Sequence, residues 1–361
     1  MTMSNIWIVD LEAVESRYTG QWKTFFPKIL KEYFDGCYNI NVIDGPNDIP
    51  NATTPGAFLN FGGTNIYKSA QMVKIARLFT EGKIQPMDHF IYTDAWNPTI
   101  LQLKYMSQLL QIPVVIHGLW HAGNYDPNDF LGRLIKDRWV INTEIALAQA
   151  IDHNWFATKD HQFMFKTNRL FDAPEEDGEA VNTELTGWPM GYLQDLIKPA
   201  ESKEDIILFP HRISEEKQPR IFKDLATALP QYKFVVCQEY DMTKDEYHSL
   251  LSRSKMVFSA NLQETLGISC YEALLAGAIP LVPDRLSYTE MYHETFKYPS
   301  IWTESWEDYQ MHKKELVSQI KLMMEYHSGY ADYIESDRDR LTEQYFSCTG
   351  LINKLAWYAK R

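Results

Sequence analysis

The sequence predicts an α/β protein built from two doubly wound, Rossmann-like domains. Three observations carry that expectation. Short apolar runs alternate with amphipathic stretches through the first half of the chain. The alternation restarts near residue 206, and an acidic stretch at 172–184 and a polar linker at 198–205 fall between the two series. At 361 residues the chain is long for one core and comfortable for two. Strands that alternate with helices form parallel sheets, and such sheets bind ligands beyond the carboxyl ends of their strands.

In the first series, Ile6-Trp7-Ile8-Val9 reads as a buried strand and 10–20 as a loop. Residues 21–33 read as a helix with Trp22, Phe25, Phe26, Ile29 and Leu30 on its apolar side and Pro27 as a kink point. A strand at 38–43 and a turn-rich stretch at 44–56 follow. Phe58-Leu59-Asn60-Phe61 reads as a third strand ending in Gly62-Gly63-Thr64, with a helix at 69–79 behind it. Then come a strand at 89–92, a helix at 99–110 and a strand at 113–116. Residues 139–143 and 155–158 read as two more strands. The second series has strands at 206–209, 233–237, 256–259 and 279–282, with helices at 219–229 and 244–252. The tail from about 305 reads as helical. The domains expected are 1–195 and 196–335, with a C-terminal helix at 336–361 able to pack back on the first.

Composition excludes several classes. The balance of 35 basic against 48 acidic residues, net −13, argues against broad nonspecific nucleic-acid binding, although not against a local basic cleft. Cys37, Cys237, Cys270 and Cys348 are scattered, so neither a zinc site nor a disulfide framework is signalled, and a reducing, cytoplasmic setting is the simplest expectation. Asp10 and Glu12 interrupt the first apolar run, which is unlike a signal peptide, and no run is long enough to span a membrane. There is no G-x-S-x-G, no P-loop, no G-x-G-x-x-G after the first strand and no H-E-x-x-H.

The chemistry-bearing residues gather in the second series. Glu264 and Glu272 bracket Gly267, where a loop turns into a helix. Gly267 permits close backbone approach, and a helix start offers N–H groups and a positive dipole end to a phosphate. Ser269 with Glu272 also fits a capping box, which needs no ligand. Gly277 fits a helix stop. After the 206–209 strand, Arg212 and Lys217 stand five positions apart on a turn, placed to hold a diphosphate or to pair with Glu215 and Glu216 at the surface. His117 follows the 113–116 strand, where it faces a ligand or serves as a structural histidine; His121 is the weaker candidate. Trp96 and Trp120 can stack on a sugar face or fill core.

These residues resemble a known family. The stretch from Glu264-Thr265-Leu266-Gly267 to Glu272-Ala273-Leu274-Leu275-Ala276-Gly277-Ala278-Ile279-Pro280 is similar to the E-x7-E motif of the retaining GT-B nucleotide-sugar glycosyltransferases (glycosyltransferase group 1, or family 4-like). His211-Arg212 with Lys217 resembles that family's G-R-x-x-x-x-K turn, with His211 in place of Gly, Leu266 in place of an aromatic, and Gln218 where Gly is common. The resemblance spans about 206–290. It implies a GT-B fold and glycosyl transfer from a nucleotide-diphosphate sugar, a UDP-sugar favoured, without a metal. It implies that Arg212 and Lys217 neutralise the departing diphosphate and that Glu264 holds sugar hydroxyls. The N–H groups of Thr265, Leu266 and Gly267 would meet the phosphates, Glu272 would hold the ribose, and His117 would contact donor or acceptor. Tyr18, Trp22, Gly63 and Trp120 are the acceptor-side candidates. The acceptor classes are a glycan, a small molecule or a hydroxymethylated base in phage DNA. A GT-B epimerase or phosphorylase, or a non-catalytic sugar-nucleotide-binding protein, is the alternative.

Overall fold

The computed structural model describes residues 3–12, 18–50, 52, 60–171 and 181–360. Parts of four expected segments lie outside the described residues: 13–17 of the first loop, with Arg17, 51 and 53–56 of the turn-rich stretch, 58–59 of the third strand, and 172–180 of the acidic stretch. Two compact units divide the chain. Unit 1 holds 1–157, 162–189 and 348–361, and unit 2 holds 158–161 and 190–347.

Unit 1 carries a parallel sheet of β1 (Ser4–Val9), β2 (Tyr38–Ile43), β3 (His89–Tyr92), β4 (Val115–Leu119), β5 (His153–Phe156) and β6 (Thr183–Leu185), in the order β2-β1-β3-β4-β5-β6. All four residues of β3 and all four of β5 are buried, as expected for parallel strands covered on both faces. The first helix, Tyr18–Tyr33, runs through Pro27 and buries Trp22, Phe26 and Leu30, one residue per turn. The C-terminal helix Thr349–Ala359 belongs to this unit. Tyr38 donates to the Leu355 carbonyl at 3.0 Å, and the Leu351 N–H donates to Thr186 Oγ1 at 2.9 Å.

Unit 2 carries β7 (Glu204–Phe209), β8 (Lys233–Val236), β9 (Ser254–Phe258), β10 (Ile279–Pro283) and β11 (Lys297–Tyr298), also parallel, in the order β11-β10-β9-β7-β8. Both sheets reverse their winding between the first and third strand, so the switch points are β1/β3 and β7/β9. The helices Trp306–Glu325 and Ala331–Tyr345 stay with unit 2.

Three expected strands are corrected. Asn60 is the N-cap of the helix Phe61–Thr80 and accepts from the Gly63 N–H, so Asn60 to Thr64 open a helix rather than close a strand. The 139–143 segment lies in the helix Arg138–Ala150, whose buried Val140, Glu144, Leu147 and Ala148 follow helical spacing across an apolar-looking run. The strand expected at 113–116 is shifted along the chain and becomes β4 at Val115–Leu119, which places His117 in its middle.

Candidate active site

The unit 2 switch point is built by the segments after β7 and β9. Phe209 closes β7, and Pro210, His211 and Arg212 lead into a short turn at Glu215–Lys217. Gln218 then adopts a left-handed conformation, φ 54°, before the helix Pro219–Ala228 starts with proline in its first turn. That conformation costs a non-glycine residue roughly 1–2 kcal/mol. The Gln218 amide offsets it by donating to the Ala260 and Thr303 carbonyls, each at 2.6 Å, which ties the turn to the loop after β9.

The loop from Ser259 to Gly267 is held from behind by Arg285, whose guanidinium donates to the carbonyls of Asn261 (2.8 Å), Ala260 (2.9 Å) and Ser300 (3.0 Å). Held this way, the loop folds around the carboxylate of Glu264. Oε1 accepts from the N–H groups of Thr265 (3.1 Å), Leu266 (3.4 Å) and Gly267 (2.9 Å). Oε2 accepts from Asn261 Nδ2 at 3.1 Å and from Lys217 Nζ at 3.4 Å. Burial acts to raise this carboxyl, but the Lys217 charge and the backbone donors outweigh it and hold it at about 2. Lys217 is itself buried, and its ammonium also donates to the Gln263 carbonyl and, at 3.3 Å, to the Gln263 side chain. Arg212 is more exposed and pairs with Glu216 Oε1 at 3.1 Å.

Gly267 begins the helix Ile268–Leu275 at φ 72°, and a Cβ there would stand 2.6 Å from the Tyr288 ring, so both backbone and space demand glycine. The capping box expected of Ser269 and Glu272 is absent. Both residues lie inside the helix, Gly267 is the N-cap, and it is Glu264 that receives the loop N–H groups. Glu272 is buried and accepts from Tyr247 Oη at 2.9 Å, while Ser269 Oγ lies 3.4 Å from His211 Nδ1. Lys217, Glu264 and the Thr265–Gly267 backbone are thus brought into one cluster, while Arg212 is tied to Glu216, the residue before Lys217. Glu272 has its own partner on the helix Lys244–Arg253. Gly277, at φ 72°, follows the helix as expected.

The unit 1 candidates fare differently. His117 is fully buried in β4. It accepts from Trp155 Nε1 at 3.2 Å and lies 3.0 Å from His89 Nδ1, so it packs across the sheet instead of standing at its carboxyl end. The strand ends three residues later than expected, at Leu119, which gives that end to His121, whose Nε2 lies 2.6 Å from the Thr93 carbonyl and whose Nδ1 lies 2.8 Å from Tyr18 Oη. Tyr18, Trp22, His121 and Trp188 form one aromatic cluster. Trp120 is core: it has no exposed surface, and its Nε1 donates to Asn154 at 2.8 Å. Gly63 is a packing glycine, since a Cβ there would stand 2.2 Å from the Pro50 carbonyl oxygen. Among the described residues no group of three or more His, Cys, Asp or Glu is arranged to hold a metal ion, and no helix is long and apolar enough to cross a membrane.

Sequence reasoning missed Asn261, Tyr247, Tyr288 and Arg285. Only Asn261, three residues before Glu264 in the same loop, carried a local signal.

This architecture is the two-domain GT-B fold of nucleotide-sugar glycosyltransferases. Sucrose-phosphate synthase of Thermosynechococcus elongatus matches with TM-score 0.67 at 9% identity, over 99% of this chain and 98% of that one. HepE of Anabaena in complex with UDP matches with TM-score 0.58 at 14% identity, over 98% of each chain. The catalytic domain of starch synthase IV of Arabidopsis thaliana, bound to ADP and acarbose, matches with TM-score 0.54 at 9% identity, over 96% and 99%. No protein-family model and no curated protein matches the chain.

Proposed function

We propose that this protein transfers a sugar from a nucleotide-diphosphate sugar to a hydroxyl acceptor. The observation that carries the reading is the buried Lys217–Glu264 pair at the β7/β9 switch point, with Arg212 five residues before the lysine and paired with Glu216. Arg212 and Lys217 are the cations that neutralise the diphosphate as the glycosidic C–O bond breaks, a task that needs no metal when two protein cations are at hand. Glu264 holds hydroxyls of the transferred sugar. The N–H groups of Thr265, Leu266 and Gly267 meet the phosphate once the Glu264 carboxylate, their present acceptor, yields them. Glu272, with Tyr247, holds the ribose.

A front-face course, in which the acceptor oxygen bonds to the anomeric carbon on the face the diphosphate leaves, retains configuration and passes the acceptor proton to the departing phosphate oxygen. A single carboxylate near the sugar favours transfer over hydrolysis, which uses two. The HepE neighbour binds UDP, and a UDP-sugar is the donor we favour. Tyr18 and Trp22, with His121, are the acceptor-side residues. The net charge of −13 weighs for a glycan or small molecule over a modified DNA base.

The test is a thermal-shift screen of UDP-, ADP- and GDP-sugars, followed by mass detection of products on candidate acceptors. Stabilisation by none of the nucleotides would sink the reading.

A further inference from the structure

Two side chains beside Glu264 carry polar atoms that the chain itself does not satisfy. Asn261 is fully buried, and its Oδ1 has no hydrogen-bond partner among the described residues. Its orientation is determined by its neighbours: Nδ2 donates to Glu264 Oε2 at 3.1 Å and to Tyr288 Oη at 3.0 Å. A carboxylate only accepts, so turning the amide over would set oxygen against oxygen. Oδ1 is therefore an acceptor waiting for a donor.

His211 is the second. It is 6% exposed, and its Nδ1 lies 3.5 Å from Asn261 Nδ2 and 3.4 Å from Ser269 Oγ. Asn261 Nδ2 gives its two hydrogens to Glu264 and Tyr288, and Nδ1 is left with Ser269 Oγ, which serves as donor to it in one ring tautomer and as acceptor from it in the other. Nε2 has no hydrogen-bond partner within 3.5 Å among the described residues, and the Phe258 carbonyl is the backbone acceptor that acts on this ring. An unpaired amide acceptor and an imidazole nitrogen with no partner within 3.5 Å thus stand in one cluster among the described residues. A buried polar group without a partner costs folding free energy, so such a pair is maintained against a penalty.

The chemistry selects the ligand. A phosphate oxygen only accepts, and it would be repelled by Asn261 Oδ1 and by the Glu264 carboxylate on the same amide. A hydroxyl both donates and accepts. We propose that Asn261 and His211 form a hydroxyl-reading subsite for the transferred sugar, Asn261 Oδ1 accepting from a ring hydroxyl and His211 Nε2 pairing with one, as donor or acceptor according to its tautomer. This rests on the donor-site reading above and adds the residues that choose among sugars. It also gives His211 a role that a glycine at the same position lacks.

The experiment is calorimetric titration of UDP, of the UDP-sugar that most stabilises the wild-type protein, and of that sugar's monodeoxy analogues. The proteins are wild type, Asn261→Ala, Asn261→Ser, His211→Ala and His211→Gln, each checked for a native melting transition. Asn261→Ser and His211→Gln serve where the alanine variants do not fold. The subsite predicts UDP affinity within about twofold of wild type and at least tenfold weaker binding of the UDP-sugar. It also predicts that one monodeoxy analogue, bound at least tenfold more weakly than the parent by wild type, loses that disadvantage in the variants. Equal losses for UDP and the UDP-sugar, or losses for neither, overturn the subsite and leave the donor reading standing. No nucleotide binding to wild type overturns both.

Discussion

Lys217 Nζ stands 3.4 Å from Glu264 Oε2, with the lysine buried and the glutamate largely so. One comes from the turn after β7 and the other from the loop after β9, 47 residues apart. Removing one member of a buried pair leaves the other charge uncompensated, which costs about 3–5 kcal/mol. Lys217→Ala is expected to lower stability by that order and to slow transfer at least a hundredfold. Lys217→Met with Glu264→Gln is expected to recover much of the stability and none of the transfer. Denaturant midpoints and product formation read the two effects separately. Full transfer by Lys217→Ala would remove the lysine from the mechanism.

The same cluster sets an acid dependence. His211 is pushed by burial, and then by Lys217, from about 6.5 down to about 3. Below pH 6.5 the unfolded chain binds a proton that the folded ring refuses, so stability falls with pH through that window. The slope is up to about 1.4 kcal/mol per pH unit until the folded value is reached. Glu264, held at about 2, works at lower pH: its contribution is full above the ordinary carboxylate range and is lost as pH falls through about 2. Unfolding followed from pH 7 to 4 is expected to be flatter in His211→Gln than in wild type, and unchanged in slope by Glu264→Gln above pH 5.

Gly267→Ala combines a left-handed backbone with a Cβ 2.6 Å from the Tyr288 ring. The two costs together are about 2–5 kcal/mol. Because this backbone N–H also donates to Glu264, sugar transfer is expected to fall along with the denaturant midpoint. An unfolding free energy within about 0.5 kcal/mol of wild type, about the scatter of surface substitutions, would contradict the geometry.

Glu272 is expected to act on the nucleotide alone. Glu272→Gln should weaken UDP and a UDP-sugar by the same factor, about tenfold or more, and Tyr247→Phe should weaken both less, since it removes one hydrogen bond of about 1 kcal/mol. A 2′-deoxy nucleotide should lose less on Glu272→Gln than the ribonucleotide does. Unchanged nucleotide affinity would move the ribose elsewhere.

His117→Leu tests the correction in unit 1. It removes an acceptor from Trp155 Nε1 and a neighbour from His89, so the expected loss is in stability, about 1–3 kcal/mol, with donor affinity unchanged. A selective loss of donor binding would return His117 to the site.

Much of this protein was legible in one dimension. The alternation of apolar runs and amphipathic stretches is a local pattern, and it determined two parallel sheets because each run is short and buried on both faces. The spacing of Glu264, Gly267 and Glu272, and of Arg212 and Lys217, is also local, and so was the placing of these residues at strand ends. Where local signals conflicted, periodicity alone misread the chain. Asn60 to Thr64 looked like a strand end because the Asn60 cap is visible only once its bond to Gly63 is formed. Residues 139–143 looked like a strand because five residues are too few to separate the two periods.

Tertiary structure decided the rest. β4 ends three residues later than the sequence predicts, which exchanged His117 for His121 at the sheet end, and the extent of a strand is settled by pairing with β3 and β5, not by its own residues. Whether Ser269 or Glu264 serves the N–H groups at the start of the helix depended on how Arg285, 24 residues past Asn261, holds the loop. That Lys217 and Glu264 meet at all follows from β7 and β9 being neighbours at a switch point, a relation between strands distant in sequence.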